Sequence, residues 1–379
     1  MRGGSRDGVR AASARYRRSA SLVVYWRDGE LIFENYALQK TVSAAPLVCS
    51  ILDFCDKWRS VRSVCSHLKV SNQKAIQRAL EQLYAHGMLE RFGKKADPRV
   101  EAIKEWSAWN PAAGFFHFST KDTAFAMNQA KAFEDWWRRA GATRIPEPLK
   151  SIRGARRTKL PAVEAAGEFP EVLRERRTWR KYGAGAVPLE SLSQILKLTF
   201  GIQGWVEVAG VGRAAIKTSP SGGDLHPTEA YVLVQRVDGV KPGIYHYQAA
   251  RHEVEWLRGG VSRRTLERNL GGQRWFSRAA FLVAMTTVSG RTRWKYDYPR
   301  AYRALLLEAG HLAQTFCLTA TWLGLAPFST IAMKDTKWEE WLGIDGVKES
   351  VLYIVGAGTR PEDVAGAHLG TLGRKTLLK

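Results

Sequence analysis

The sequence predicts an α+β protein in which a small region of hairpin and helices precedes a larger mixed domain. Three observations carry the prediction. Two apolar runs flank Asp28-Gly29, a residue pair that tight hairpin turns favour. Between residues 43 and 95 apolar residues recur at helical spacing in three successive stretches. From about Gly167 onward strand-like runs alternate with helical ones, and a loop rich in Gly, Pro and Ser leads into one of the strands.

Residues 1–20 are Arg-rich and read as a flexible basic tail; they hold no apolar core segment, so no secretory signal is expected. Residues 21–100 come next. Ser21–Tyr36 reads as a hairpin, with Leu22 to Trp26 before the turn and Leu31 to Phe33 after it. A type I′ turn needs positive φ at both Asp28 and Gly29. Leu47–Trp58 and Val61–Leu68 read as helices. Ser71 caps a third, in which Ala75, Ile76, Ala79, Leu80 and Leu83 share a face and Gly87 ends the run. Met88–Lys95 reads as a wing with Gly93 at its tip, so the region resembles a winged helix. Lys74, Gln77 and Arg78 on the outer face of the third helix suit phosphate contact. Any solvated helix face shows such residues, and a docking module is the plainer reading.

Residues 101–165 read as a helical connection and basic linker. Ala102–Trp109 and Asp122–Ala140 are expected as helices; Pro146, Pro148, Pro161 and the run Arg153–Lys159 mark the linker. Residues 166–379 form the mixed domain. Helices are expected at Pro170–Arg176, Leu189–Phe200 and Pro299–Leu323, and strands at Ala230–Val237, Gly243–Gln248, Glu253–Leu257, Phe281–Val288 and Ser350–Gly356. The helix after Pro299 is the clearest, with an apolar stripe from Tyr302 to Leu323.

An apolar content of 45% over 379 residues suffices for a large core. No apolar run reaches the roughly 18 residues of a spanning helix, so no membrane segment is expected. Cys49, Cys55, Cys65 and Cys317 lack CxxC or zinc spacing and fall in apolar helical patterns, as reduced buried thiols of a cytoplasmic protein do. No metal site is indicated. The net charge of +22 favours an anionic partner: a phosphate-bearing cofactor, an acidic peptide or nucleic acid. The cations are spread along the chain, with local density at 1–20 and 150–181, which speaks against one dedicated nucleic-acid face.

Four motifs carry chemistry. Arg176 and Arg180, with Arg177 and Thr178 between them, stand at i and i+4 if the segment is helical, and guanidinium forks with a hydroxyl suit a phosphate. The loop Thr218–Tyr231 contains Pro220, Ser221, Gly222, Gly223, Asp224 and His226; its small residues let backbone N–H groups approach a flat or anionic ligand. His226 either contacts that ligand or braces the loop. Lys295 beside Tyr296 is a pair in which the ammonium favours the phenolate, useful for acid–base work. Gly356-Ala357-Gly358-Thr359-Arg360 ends a strand in small residues and a cation, and so offers a further phosphate ligand. His311, on the long helix, reads as a satisfied buried histidine.

In this order the motifs resemble the nitroreductase-like flavoproteins, and within them the SagB-type, or thiazole-oxidase, azoline dehydrogenases of ribosomal peptide maturation. The resemblance covers about Gly167 to Arg360. Arg176–Arg180 looks like that branch's Arg-Arg-Ser-x-Arg, with Thr178 keeping the hydroxyl. Ser219–Glu229 looks like its Ser-Pro-Ser-Gly-Gly-x-x-His-Pro-x-Glu. Lys295–His311 looks like its Lys-Tyr-containing helix start, with Ala301 in place of a glycine. Trp106 to Phe118 resembles the connection ahead of the flavin domain, whereas Ala326–Thr330 departs from the usual Gly-rich stretch.

The resemblance implies a nitroreductase-like FMN domain behind a winged-helix-like region. It implies FMN at a homodimer interface, with its phosphate on Arg176, Thr178, Arg180 and Arg360 and its ring along the Pro220–His226 loop. Lys295 and Tyr296 become the catalytic pair, and the substrate a modified peptide whose thiazoline or oxazoline is oxidised to thiazole or oxazole, with a cyclodehydratase as a potential partner. Two alternatives stand beside it: another flavin redox enzyme, acting on a different peptide residue or using NAD(P)H to reduce a small molecule or alkene, and a flavin-bearing nucleic-acid binder.

Overall fold

The computed structural model describes residues 14–123, 165–208 and 212–362, with 131, 134–135, 137–138, 149–150, 153–154 and 156–161 between them. Most of the expected helix Asp122–Ala140, and residues 146–148, 151–152 and 155 of the linker, lie outside the described residues. Two compact units result: Met1–Lys121 with Ser289–Ala304 and Asp345–Glu349, and Asp122–Val288 with Leu305–Ile344 and Ser350–Lys379. The segment carrying Lys295 and Tyr296, expected within a 166–379 domain, thus belongs to the first unit.

In the first unit β1 is Arg15–Arg18, β2 Leu22–Arg27, β3 Glu30–Asn35, β4 Lys40–Ser43, β5 Arg59–Ser60 and β6 Leu89–Arg91. β2 and β3 pair from Leu22–Asn35 to Arg27–Glu30. Their turn has φ of 51° at Asp28 and 82° at Gly29, the positive pair a type I′ turn requires. The helices Leu47–Phe54, Val61–Leu68 and Gln73–Ala85 bury Leu52, Val64, Ile76, Leu80 and Leu83 against Tyr16, Phe33 and Met88.

Five details differ from expectation. The third helix is capped by Asn72, not Ser71: its side-chain oxygen accepts the Ala75 N–H at 3.1 Å. Met88–Lys95 does not fold back as a wing hairpin; β6 pairs with β1, in a sheet ordered β5-β1-β6. Residues 15–18 are therefore a central strand rather than tail, because Tyr16, fully buried among flanking arginines, anchors them. Cys49 is exposed, while the other three cysteines are buried. Farther on, Pro98–Ala102, a 3-10 turn at Ile103–Trp109 and the helix Ala112–Ser119 replace a single helix at Ala102–Trp109. They gather Trp106, Trp109 and His117 around Tyr302.

In the second unit β7 is Ile202–Val208, β8 Gly212–Lys217, β9 Thr228–Val234, β10 Gly243–Gln248, β11 Glu253–Gly259, β12 Phe281–Val288, β13 Leu325–Thr330 and β14 Glu349–Thr359. Six of them form one sheet in the order β11-β10-β9-β12-β14-β13. Its central strands are buried on both faces, so they read as continuous apolar runs instead of alternating ones. Ala230, Val232, Val234, Val283 and Met285 face one cluster with Ile195 and Phe316, from the helices Leu189–Phe200 and Tyr302–Trp322. Tyr231, Leu233, Leu282 and Ala284 face another with Leu266, Trp338 and Leu342, from the helices Arg263–Arg268 and Asp335–Leu342. This helix–sheet–helix layering is the α+β domain the sequence predicts. The Leu189–Phe200 helix and strands β10 and β12 fall on the expected bounds. The β7–β8 hairpin, β13 and the short helices were not foreseen. No helix among the described residues is long and apolar enough to cross a membrane.

Candidate functional site

The Gly/Pro/Ser loop lies between β8 and β9 and is built as a strained, tied turn. Gly223, Asp224 and His226 have φ of 72°, 61° and 44°. Left-handed backbone at non-glycine residues costs about 1–3 kcal/mol each and persists only where the surroundings hold it. The surroundings here are hydrogen bonds. The Ser221 hydroxyl donates to Glu308 at 2.5 Å and accepts the His226 backbone N–H at 3.0 Å. The Thr228 hydroxyl donates to the other Glu308 oxygen at 2.9 Å. Ser219 and Thr315 share a hydroxyl–hydroxyl bond of 2.7 Å, and His311 Nδ1–H donates to the Pro220 carbonyl at 3.2 Å. Bonds to an ionised group contribute roughly 1.5–3 kcal/mol, enough to offset the strain. His226 braces the loop: its Nε2 lies 2.9 Å from the Ala215 carbonyl and 3.0 Å from Asp224. His311, expected buried, is exposed because the long helix turns that side outward.

The Arg176–Arg180 segment is not helical. The helix Glu168–Glu175 ends at Arg176, where ψ turns to 119°. The chain then runs beside β13, with the Trp179 N–H donating to the Pro327 carbonyl at 2.9 Å and the Trp179 ring buried. Arg176, Thr178 and Arg180 are half-buried, while Arg177 and Lys181 are exposed. Arg177 bonds back to the Arg174 and Arg176 carbonyls. Burial pushes the Cys317 thiol up to about 12, and the charge of Arg176 opposes it. Burial likewise raises the Tyr182 phenol well above its usual value, against the charge of Arg180. Arg360 joins this corner: its guanidinium stacks over Trp179 at 5.5 Å and donates to the Leu325 and Thr321 carbonyls, both at 3.2 Å. The same guanidinium lies 3.9 Å from the Glu175 carboxylate, and with five donors in all it is not exhausted by these partners. A cationic, hydroxyl-bearing corner and a tied turn of small residues have the chemistry that a phosphate and a flat ring demand, and the residues present fit FMN.

Lys295 and Tyr296 lie in the first unit, at the end of the helix Ser289–Lys295. Lys295 is exposed and Tyr296 half-buried, with the ammonium 5.7 Å from the phenol ring centre. The Tyr296 carbonyl accepts the indole N–H of Trp109 at 2.8 Å. Behind Trp109, burial drives the His117 imidazole down to about 3, helped by the charge of Lys121. That ring is neutral, so its Nε2–H donates to the Gly346 carbonyl at 3.1 Å and its Nδ1 accepts from the Tyr302 hydroxyl at 2.8 Å. The sequence did not single out Trp109, His117 or Glu308, which the structure places against the candidate motifs or the residues that support them. Glu308 alone carried a signal, as an acid inside the apolar stripe of the long helix.

The second unit thus combines a layered α+β domain with a hydroxyl-tied turn of small residues and an arginine corner. The sequence pattern of the nitroreductase family matches residues 173–359. The chain is 31% identical over 204 residues to the nitroreductase-family protein MJ1384 of Methanocaldococcus jannaschii, covering 54% of this chain and 96% of that one. It belongs to the nitroreductase family, a family of flavin enzymes. It is also 28% identical over 151 residues to the trifolitoxin-processing protein TfxB of Rhizobium leguminosarum bv. trifolii, across 39% of this chain and 40% of TfxB. Among solved structures it is similar to an E. coli microcin synthetase McbBCD complex with truncated pro-MccB17 bound. There the TM-score is 0.47 and the identity 20%, over 70% of this chain and 95% of that one.

Proposed function

We propose that this chain is an FMN-dependent dehydrogenase that oxidises thiazoline or oxazoline rings of a ribosomally made peptide to thiazole or oxazole. The observation that carries the reading is the Ser219–Thr228 turn, whose sequence resembles that of the azoline dehydrogenase branch and whose left-handed residues are tied by hydroxyls to Glu308. The match to a trifolitoxin-processing protein supports a maturation role. Arg176, Thr178, Arg180 and Arg360 hold the phosphate, with Arg177 at their edge. Pro220, Ser221, Gly222, Gly223, Asp224 and His226 line the ring and ribityl chain. FMN, when bound, supplies the acceptor for the two electrons the azoline gives up. Tyr296 takes the ring's Cα proton and Lys295 assists by stabilising the phenolate. Aromatisation supplies the driving force, so the protein's task is to orient the ring and move a proton.

Residues 43–95 serve, in this reading, as a docking piece in a cytoplasmic homodimer that works beside a cyclodehydratase. A yellow protein whose flavin bleaches on anaerobic mixing with an azoline peptide bears the proposal out; a protein unable to take up FMN overturns it. Replacing Lys295 and Tyr296 together should abolish bleaching and leave FMN bound. A second reading keeps FMN and changes the substrate, and the match across 96% of MJ1384 favours it. Stoichiometric NAD(P)H consumption without peptide would select it.

A further inference from the structure

We propose that Glu308 is a positioning residue of the cofactor site, holding the Ser219–Thr228 turn in its binding shape through the reach of its carboxylate. The inference rests on the FMN reading above. Glu308 is 4% exposed on the helix Tyr302–Trp322, and both of its oxygens are spent on one loop. One takes the Ser221 hydroxyl near the start of the turn and the other the Thr228 hydroxyl at its end, where β9 begins. A single side chain thereby fixes the distance between the two ends of the turn.

Ser221 passes the constraint inward. Its oxygen also accepts the backbone N–H of His226, the residue at φ 44°. Cutting the Glu308 bond frees that hydroxyl to rotate, so the left-handed backbone at His226 loses one restraint and keeps the ring contacts of His226 with the Ala215 carbonyl and Asp224. The same helix adds His311 to Pro220 and Thr315 to Ser219, one and two turns further along. These two ties hold the front of the turn, whereas the Glu308 carboxylate reaches both of its ends. The small residues Gly222 and Gly223 sit inside the span, so a relaxed turn changes the shape it offers to a ligand.

The test separates reach from charge. E308Q keeps the reach: its amide oxygen accepts from one hydroxyl and its NH2 donates to the other. E308D keeps the charge and falls one methylene short. FMN dissociation constants are measured by fluorescence quenching on full-length protein, with thermal midpoints of the apoproteins taken alongside. We expect E308A and E308D to weaken FMN binding about tenfold or more, the scale of one lost hydrogen bond or somewhat above it, and E308Q to recover to within about threefold of the parent. Parent-like affinity in E308A overturns the inference, as does E308Q binding as poorly as E308A while its thermal midpoint matches the parent. An equal loss in all three variants that tracks a fallen thermal midpoint overturns it too, leaving Glu308 as a core residue only. Failure of the parent protein itself to bind FMN overturns the function reading, and this inference with it.

Discussion

The indole N–H of Trp109 donates to the backbone carbonyl of Tyr296 across 2.8 Å, joining the connection after the N-terminal helices to the Lys-Tyr turn. Trp109 is 1% exposed and stacks edge-on against Trp106 and Tyr302, so the donor cannot swing away. The position of the proposed catalytic pair is thus set by residues nearly two hundred positions away in sequence. W109F keeps most of the packing and removes the donor. It should cost about 1–3 kcal/mol of stability, the penalty of an unpaired buried carbonyl. Because small misplacements near reacting atoms are expensive, kcat should fall by up to about 100-fold with FMN affinity unchanged. Urea melts and turnover assays check both.

His117 makes the stability of the first unit acid-sensitive. Its ring titrates near 3 when folded, chiefly through burial, against 6.5 in the unfolded chain. The unfolded state therefore binds the proton first, and stability is lost as pH falls below about 6.5, by up to roughly 1.4 kcal/mol per pH unit until the folded value is reached. Urea midpoints of the parent should decline from pH 6.5 to pH 4. H117Q should start lower and decline less steeply, and an equal slope in both proteins would remove His117 as the cause.

His246 acts in the opposite sense. It lies 3.2 Å from Glu229 on β9 and 2.9 Å from Glu255 on β11, and the Glu229 bond leads in raising it to about 8, against partial burial. A raised histidine contributes stability in full below about pH 6.5, and that contribution is lost as pH rises through 8. The C2 proton of His246 should titrate near 8 by NMR in the parent and near the ordinary histidine value in a double E229Q/E255Q variant.

Much of the second unit was legible because its elements carry one strong period each. Phe281–Met285 is apolar throughout, and the stripe from Tyr302 to Leu323 has no competing pattern. The first unit shows where that legibility stops. Arg15–Arg18 looks like a solvated tail because its role depends on one inward residue, Tyr16, and on a partner strand more than seventy positions away. The Asn72 cap lost to Ser71 by one residue, which is within the fraying of any helix end. At the site, residue types announced the arginines and the loop. Which arginine faces inward did not follow from sequence, since the segment leaves its helix at Arg176 for the edge of β13, a strand itself unforeseen.

Gly183 shows how tightly the Arg360 corner is built. Its N–H donates to the Thr359 carbonyl at 2.9 Å, and a Cβ placed there would lie 2.5 Å from the Thr359 hydroxyl and 3.0 Å from the Arg360 carbonyl. The hydroxyl can rotate; the carbonyl is backbone and cannot. G183A should destabilise by about 1–3 kcal/mol, as overpacking does, and displace Arg360. FMN affinity should fall with it, whereas a G29A change, in open space at a turn on the other unit, should leave FMN affinity alone.

Arg177 and Arg360 make the sharpest pair of substitutions in the proposed phosphate site. Arg177 is exposed and spends its guanidinium on the carbonyls of Arg174 and Arg176, so R177A should change FMN affinity by no more than about twofold. Arg360 holds two carbonyls, of Leu325 at the start of β13 and Thr321 at the end of the long helix, lies 3.9 Å from the Glu175 carboxylate, and still has donors to spare. R360A loses both functions and should weaken FMN binding by about tenfold or more, since bonds to charged groups are worth roughly 1.5–3 kcal/mol. R360K keeps the charge without the fork and should fall between the two. Equilibrium titration at two salt concentrations tests the assignment. Higher salt should weaken the parent more than R360A, because only the parent keeps that cation on the phosphate. Equal salt dependence in both would move the phosphate away from Arg360.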